Sequence, residues 1–450
     1  MAQLVEHHLA KVGVAGSNPV VRSIMNSVTG PIGPVTLFSG GLQSVGMSQA
    51  RAKMTLREWL PLLGIAVSAF IFNTSEFMPV GLLTDIGSTF GTTEGETGIM
   101  VSVYAWAVML LSVPLMILAT RIPFRPLIIT VLAVFCAGQV FSALAPSFGL
   151  LIAARLMVAC AHSVFWAIAA PLAARLVDES HGAMAVSLVI TGSSLAMIVG
   201  LPIGRVIGLA MGWRLTFACV AGVALVVLAF LLVVFPRLQG ATTFRMNQLP
   251  SIMKNKVLVG VFVMTALYPM GYFTCYSYIE PFLLQVGGMP DGLVTTVLVV
   301  FGVAGLVGSA ICTRFYTAKS VHFPRLAIAG VAVAILLLRF CVVSVPLTFA
   351  VCVLWGISSS AYQIVYQAKI IEVADESEQT VATAMFSGIF NLGIGTGSFI
   401  GGLVCTYDTI GNVGFVGAAI AAFALAYCVF VWGGHVRERA ARIREANAAS

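Results

Sequence analysis

The stretch LPLLGIAVSAFIFNTSEFMPVGLL, residues 60–83, is apolar along most of its length and carries one charged side chain, Glu76. A helix needs about 20 apolar residues to cross the hydrocarbon core of a bilayer. A charge near the middle of such a helix costs about 2.5–3.5 kcal/mol on insertion scales, so it is expected to face a water-filled cavity or a partner. The stretch therefore predicts a membrane-spanning helix whose acid has a function.

The composition of the whole chain is that of a protein that crosses a membrane many times. Of its 450 residues, 59% are hydrophobic and 9% are charged, whereas about a quarter of the residues of a soluble domain are charged. The net charge of +7 is not gathered into a basic patch with interleaved aromatic residues, so nucleic-acid binding is not expected. No G-x-S-x-G or H-E-x-x-H motif occurs, which argues against a membrane-embedded enzyme.

The nine cysteines are scattered through the apolar runs and form no C-x-x-C pair. Such cysteines are expected to be small buried hydrophobic residues with reduced thiols. We therefore predict no disulfide framework, no metal site and no cofactor.

Residues 1–53 differ from the rest of the chain. They contain no apolar stretch long enough to span a membrane, and their Gly, Ser and Pro content predicts disorder. They also lack the basic region, apolar core and cleavage site of a signal peptide. We predict a disordered N-terminal extension and hypothesise that translation starts at Met47 or Met54.

Twelve stretches are long and apolar enough to span a bilayer. They lie at residues 60–83, 98–119, 127–145, 149–172, 185–208, 214–235, 257–284, 292–313, 326–343, 348–368, 380–404 and 412–433. The sequence thus predicts an all-α membrane protein with twelve transmembrane helices.

Lysine and arginine are distributed asymmetrically between the two sides of this arrangement. If both termini are cytoplasmic, 18 of those that follow residue 50 fall on cytoplasmic segments. The other four lie inside spans or at their outer ends, and these are Arg155, Arg205, Arg214 and Arg339. The positive-inside rule therefore predicts that both termini are cytoplasmic.

The longest interior loop follows the sixth span and suggests a division into two halves. Sliding the first half by 204 residues places Glu76 on Glu280, and sliding it by 197 places Gly200 on Gly397. This weak repeat favours two pseudo-symmetric six-helix halves related by an axis along the membrane normal. The predicted units are a first half at 54–235, a linker at 236–256, a second half at 257–434 and a basic tail at 435–450.

Glu76 and Arg155 are predicted at similar depths in the first and fourth spans, so we expect them to pair across a central cavity. Arg155, His162 and Trp166 share one helical face. On that face His162, whose charge can change near neutral pH, can join a proton relay or bond a substrate. Alternatively, His162 bonds a neighbouring helix and Trp166 packs against lipid or another helix.

The predicted cavity is rich in uncharged hydrogen-bonding groups and aromatic rings. Sugar hydroxyls need donors and acceptors, and the C–H faces of sugars pack on aromatic rings. The predicted substrate-binding residues are Asn73, His162, Trp166, Tyr278, Glu280, Tyr362, Gln363 and Asn391. Alternatively, Asn391 joins helices, Glu280 lies near the outer interface, and Arg205 is mainly structural.

Seven stretches carry a resemblance to a known family: FIFNTSEFMPVGLLTDI (70–86), VYAWAVMLLSVPLM (103–116), ARLMVACAHSVFWAIAAPLAAR (154–175), GLPIGRVIG (200–208), GWRLTF (212–217), YSYIEPF (276–282) and FSGIFNLGIGTGSFIGG (386–402). They resemble the major facilitator superfamily, in its twelve-span drug:proton antiporter branch, and within it the bacterial sugar efflux transporters. The resemblance implies that the acid of span one and the arginine of span four, here Glu76 and Arg155, belong to the coupling machinery.

Three features depart from the pattern of that family. The loop ATRIPFRP (119–126) lacks the usual acid, Ala159 stands where the fourth span usually has glycine, and Leu201 separates Gly200 from Pro202. These departures concern the detail of gating.

The function expected from these observations is proton-coupled efflux of small sugars or sugar analogues by alternating access. Glu76, Arg155 and His162 are the candidate proton-coupling residues. The alternative is an exporter of drugs or other metabolites on the same fold. The expected partners are a sugar, protons and the lipid bilayer, and the protein is expected to be a monomer.

Overall fold

The computed structural model describes residues 54–119, 122–238, 249–316, 322–375 and 378–449. The predicted N-terminal extension, residues 1–53, lies outside the described residues. So do residues 239–248 of the predicted linker.

The described residues are helical, with no strand, and twelve of the helices are long and apolar enough to cross a membrane. We number them α1 to α12 in chain order. They are Leu56–Phe90, Glu94–Ala119, Phe124–Leu144, Phe148–Arg175, Gly182–Met211, Trp213–Val234, Lys256–Gln285, Asp291–Phe315, His322–Cys341, Val345–Val373, Val381–Tyr407 and Ile410–Arg439. Each contains most of one predicted span, so the predicted fold class is confirmed.

The buried hydrophobic side chains form two clusters. One lies within α1–α6. The other lies within the described residues from Ile252 to Trp432, and it also takes in a few residues of α1, α2 and α5, which are Phe77, Val80, Val101, Ala105 and Leu201. We call the α1–α6 and α7–α12 groups the two halves; the exact boundaries between them remain a prediction.

The contacts between the halves concentrate at one end of the bundle. We call the end at which α1 begins the terminal end, and the opposite end, which carries the α1–α2 turn, the distal end. In the described part of the chain, the polar contacts between the halves lie between mid-helix and the distal end. They join Trp106 to Thr396, Thr84 to Glu280, Glu94 to Gln285, and Arg205 to Glu280 and Asp291. The structure is therefore closed at its distal end.

Several of these helices are interrupted. The regular helix of α1 ends at Phe77, a 3₁₀ segment covers Met78–Leu82, and a second helix covers Leu83–Phe90. Pro79 has no N–H, so the Ser75 carbonyl lacks its usual partner four residues on. In α5 a π-helical turn, Ala196–Gly200, precedes Pro202. These breaks release backbone groups that side chains from other helices can bond.

Candidate functional site

Glu76 lies beside His162 inside the first half. The carboxylate oxygen Oε2 of Glu76 is 3.7 Å from Nε2 of His162, and both side chains are largely buried. On the other edge of the ring, Nδ1 of His162 is 2.9 Å from the hydroxyl of Tyr104. An acid of α1 and a histidine of α4 therefore lie side by side, and a tyrosine of α2 contacts the far edge of the histidine ring.

Arg155 does not pair with Glu76 directly, contrary to the expectation from the sequence. Its guanidinium donates to the hydroxyl of Ser75 at 2.9 Å and to the Ser75 carbonyl at 3.0 Å. It also lies over the ring of Tyr104, with Cζ 4.4 Å from the centroid. The physical reason is the break in α1, because Pro79 leaves that carbonyl without a helical donor.

Two further amides hold α1 in place. Gln139 of α3 donates to the Ser75 hydroxyl, and the amide of Asn73 donates to Ser193 of α5. Asn73 was predicted to bind substrate, but here its amide joins two helices of the first half. Tyr104, Ser75 and Gln139 were not among the predicted site residues, because their only signal in the sequence is a polar atom within an apolar run.

Trp166 follows His162 by one turn on the same face of α4. Its ring centroid is 6.2 Å from that of His162, and its side chain is half-buried. The face of α4 that carries Arg155, His162 and Trp166 thus passes from the buried site to a more open position.

In the second half, Tyr362 and Tyr278 do not line an open site. Tyr362 is fully buried and stacked on Tyr268, with centroids 3.4 Å apart, and its hydroxyl donates to the Met264 carbonyl. Tyr278 is also fully buried, and its hydroxyl donates to the Ser398 carbonyl at 2.8 Å. Both side chains are engaged in helix packing in this conformation.

The other two predicted substrate-binding residues of the second half are Asn391 of α11 and Gln363 of α10. The amide nitrogen of Asn391 donates to the Ser387 carbonyl at 3.0 Å, whereas its oxygen is buried without a partner in the described structure. One turn further along, Gly395 packs against Trp106 of α2, so this face of α11 looks toward the first half. Gln363 of α10 is half-buried.

Glu280 lies in a buried ion cluster at the distal end. Its carboxylate is 2.9 Å from Arg205 and accepts from the Thr84 hydroxyl, also at 2.9 Å. Arg205 additionally lies 2.8 Å from Asp291 and donates to the Gly81 carbonyl. We call Arg205, Glu280 and Asp291 the distal ion cluster.

Glu280 was expected near the outer interface, where its charge would cost little. It lies at the distal end of α7, but its side chain is buried, so the expectation of an exposed, inexpensive charge is wrong. The side chains of Arg205 and Glu280 are 0% and 1% exposed, whereas that of Asp291 is 57% exposed. Helices α1 and α5 of the other half cover Glu280. Arg205 thus joins the two halves through Glu280 and Asp291.

Three comparisons with known proteins bear on this arrangement. Residues 65–368 match the model of the Major Facilitator Superfamily. A "Probable sugar efflux transporter" of Mannheimia succiniciproducens is 36% identical over 375 residues, which cover 83% of this chain and 94% of that protein.

Solved structures of transporters share the fold. One is a bacterial homologue of the human lysosomal transporter Spinster in an inward-facing, unoccupied conformation. It has a TM-score of 0.70 at 14% identity and covers 86% of this chain and 99% of its own. Another is a mutant of the nucleoside transporter NupG, with a TM-score of 0.67 at 13% identity over 83% of this chain and 99% of its own.

Proposed function

This chain belongs to the major facilitator superfamily of membrane transporters, and we propose that it exports small sugars or sugar analogues in exchange for protons. It is a multi-pass membrane transporter and not an enzyme. The observation that carries the proton half of the proposal is the buried contact between Glu76 and His162. The sugar half rests on the similarity to a probable sugar efflux transporter.

The chemistry of the Glu76 site supports the proposal of proton coupling. A buried acid can take up and release a proton if its charged form has partners and its neutral form is tolerated. His162 faces the carboxylate, and the guanidinium of Arg155, held by Ser75, supplies positive charge nearby. Protonation of Glu76 removes a negative charge from this group and so changes which conformation of the halves is favoured.

The proposed sugar site lies between the halves, on the terminal side of the Trp106–Thr396 contact. Asn391 offers an unpaired amide oxygen to a hydroxyl. Gln363 offers further donors and acceptors, and Trp166 offers an aromatic face. His162 would contact both the substrate and the proton-binding Glu76. Asn73, Tyr278, Glu280 and Tyr362 would reach the substrate only in another conformation.

The positive-inside rule assigns the distal end to the outside. We propose that the protein lies in the bacterial inner membrane as a monomer with cytoplasmic termini. The structure then corresponds to a state that is closed to the outside. Export requires the contacts at the distal end, including the distal ion cluster, to open. One proton that enters down a potential of 100 mV supplies about 2.3 kcal/mol. That is enough to export a sugar against a concentration ratio of roughly fifty-fold.

A second candidate is an exporter of drugs or other metabolites on the same fold. Substrate-exchange assays in proteoliposomes separate the two, with labelled arabinose and a thiogalactoside tested beside a cationic dye. We expect saturable exchange of a sugar probe that weakens in Asn391→Ala. Exchange of the dye alone would replace the sugar proposal with the second candidate.

A further inference from the structure

Tyr104 contacts two of the three candidate coupling residues. Its hydroxyl is 2.9 Å from Nδ1 of His162, and its ring lies under the guanidinium of Arg155. Its side chain is 2% exposed, so water does not readily replace these contacts. The opposite edge of the same His162 ring, at Nε2, faces Glu76 at 3.7 Å.

The chemistry of a neutral imidazole explains why this hydroxyl matters. One ring nitrogen is a donor and the other an acceptor, and the bond made by one decides the role of the other. Opposite a carboxylate, Nε2 must carry the proton, and Nδ1 then needs a donor. Opposite a protonated Glu76, Nε2 accepts, and Nδ1 then needs an acceptor. A hydroxyl can fill both roles, because it donates and accepts.

We propose that Tyr104 is a positioning residue of the proton site, which keeps the His162 ring neutral, oriented and paired in both protonation states of Glu76. The proposal rests on the proposed function, since it assumes that Glu76 takes up and releases a proton. The charged or titratable neighbours that act on the pair are Arg155 of α4 and Tyr104 itself. The ring neighbours Phe72 and Trp166 carry no charge.

The first test is a double-mutant cycle in proteoliposomes with labelled arabinose or a thiogalactoside. Tyr104→Phe removes the hydroxyl and keeps the ring under Arg155. We expect gradient-driven sugar transport to fall about tenfold, equivalent to about 1.4 kcal/mol, while sugar exchange without a proton gradient is retained. In a His162→Gln background the hydroxyl has lost its partner, so Tyr104→Phe should have no further effect.

Tyr366→Phe is the matched control. Tyr366 is also fully buried, and its hydroxyl contacts Met264 and Cys428 in the other half. The effect of Tyr366→Phe on gradient-driven transport should be the same in the wild-type and in the His162→Gln background. An equal loss from Tyr104→Phe with and without His162, or a loss of exchange together with gradient-driven transport, would show that Tyr104 merely stabilises the fold.

The second test needs no transported sugar. In protein labelled with ¹⁵N-histidine, the ring-nitrogen signals of His162, assigned by their loss in His162→Gln, are followed as the pH is changed. We expect the pH at which they respond to move by about one unit in Tyr104→Phe and to stay unchanged in Tyr366→Phe. An unchanged response in Tyr104→Phe contradicts the proposal. A shifted response without gradient-driven transport supports the role of Tyr104 and contradicts sugar–proton antiport.

Discussion

At the scale of single residues, each of the buried arginines Arg155 and Arg205 bonds a backbone carbonyl of α1 as well as side chains. Arg155 bonds the carbonyl that Pro79 leaves without a donor, and it also bonds the hydroxyl of the same residue, Ser75. Arg205 similarly bonds the carbonyl of Gly81. A guanidinium offers five donors in a rigid fork and can serve a backbone carbonyl and a second acceptor together.

We predict that Arg155→Lys destabilises the protein although it keeps the charge. A lysine ammonium lacks the planar fork, so at least one bond to Ser75 should be lost, at a cost of about 1.5–3 kcal/mol for a bond to a charged group. The measurement is thermal unfolding in detergent. Adding Pro79→Ala restores a backbone N–H for the Ser75 carbonyl and should recover part of the loss. Equal stability of Arg155→Lys and wild type would refute this role.

The sequence identified Glu76, Arg155 and His162 because a charge or an imidazole is conspicuous in an apolar run. It could not identify their partners. Tyr104, Ser75 and Gln139 belong to three different helices, and only the packing of α1, α2, α3 and α4 brings them together. The expectation that Arg155 pairs directly with Glu76 was wrong because the break in α1 gives Arg155 another acceptor, the Ser75 carbonyl.

At the scale of elements, α1 is a helix interrupted between two arginines. Arg155 of α4 bonds Ser75 just before the 3₁₀ segment, and Arg205 of α5 bonds Gly81 within it. Glu76 precedes this segment, and Thr84, which donates to Glu280, follows it. The broken part of α1 therefore lies between the proton site and the distal ion cluster.

We predict that Glu280→Gln weakens closure at the distal end, because it removes the buried one of the two charged partners of Arg205 and leaves only the exposed Asp291. A buried charge that loses its partner is strongly destabilised. The readout is the rate at which an impermeant maleimide labels Val101→Cys from the distal side in a cysteine-free protein. We expect a rise of about tenfold, equivalent to about 1.4 kcal/mol.

Gln285→Ala supplies the control for that experiment. Gln285→Ala removes an exposed hydrogen bond between the halves, which Gln285 donates to Glu94. An exposed polar contact contributes little, so labelling should hardly change. Equal labelling of Val101→Cys in Glu280→Gln and in the unsubstituted background would mean that the distal ion cluster does not hold the halves together.

The elements themselves were largely predictable. Apolar length fixes where a span can lie. A proline lacks the N–H that a helix needs, and the π-helical turn of α5 precedes Pro202 while the interruption of α7 at Ser277–Tyr278 precedes Pro281. What covers Glu280 was not predictable, because it depends on how α1 and α5 meet α7 and α8 across the halves.

At the scale of the whole molecule, the two halves meet closely between mid-helix and the distal end. Close approach there depends on small residues: a Cβ at Gly395 would overlap the indole of Trp106, and one at Gly98 would overlap the hydroxyl of Tyr278. A rocking motion of the halves must separate these contacts. The surface is closely packed, and a single added side chain should hinder its closure.

Gly395→Val is accordingly expected to keep the distal end open and to abolish transport. Distances between spin labels on the two halves at the distal end should increase. Gly222→Val, on α6, is the control, because nothing lies within 4 Å of a Cβ at that position. Unchanged distal distances in Gly395→Val would contradict the view that this contact limits closure.

The most direct test of sugar–proton antiport is to record both fluxes at once in proteoliposomes. Labelled arabinose or a thiogalactoside reports the sugar, and a trapped pH indicator reports the proton. Antiport predicts that sugar movement drives opposite proton movement in the wild type. Glu76→Gln should lose the proton flux and gradient-driven transport while keeping sugar exchange. The control is Glu96→Gln, which changes an exposed acid of α2 and should behave as the wild type. Sugar transport without proton movement in the wild type, or proton-coupled transport that survives in Glu76→Gln, would contradict coupling through Glu76.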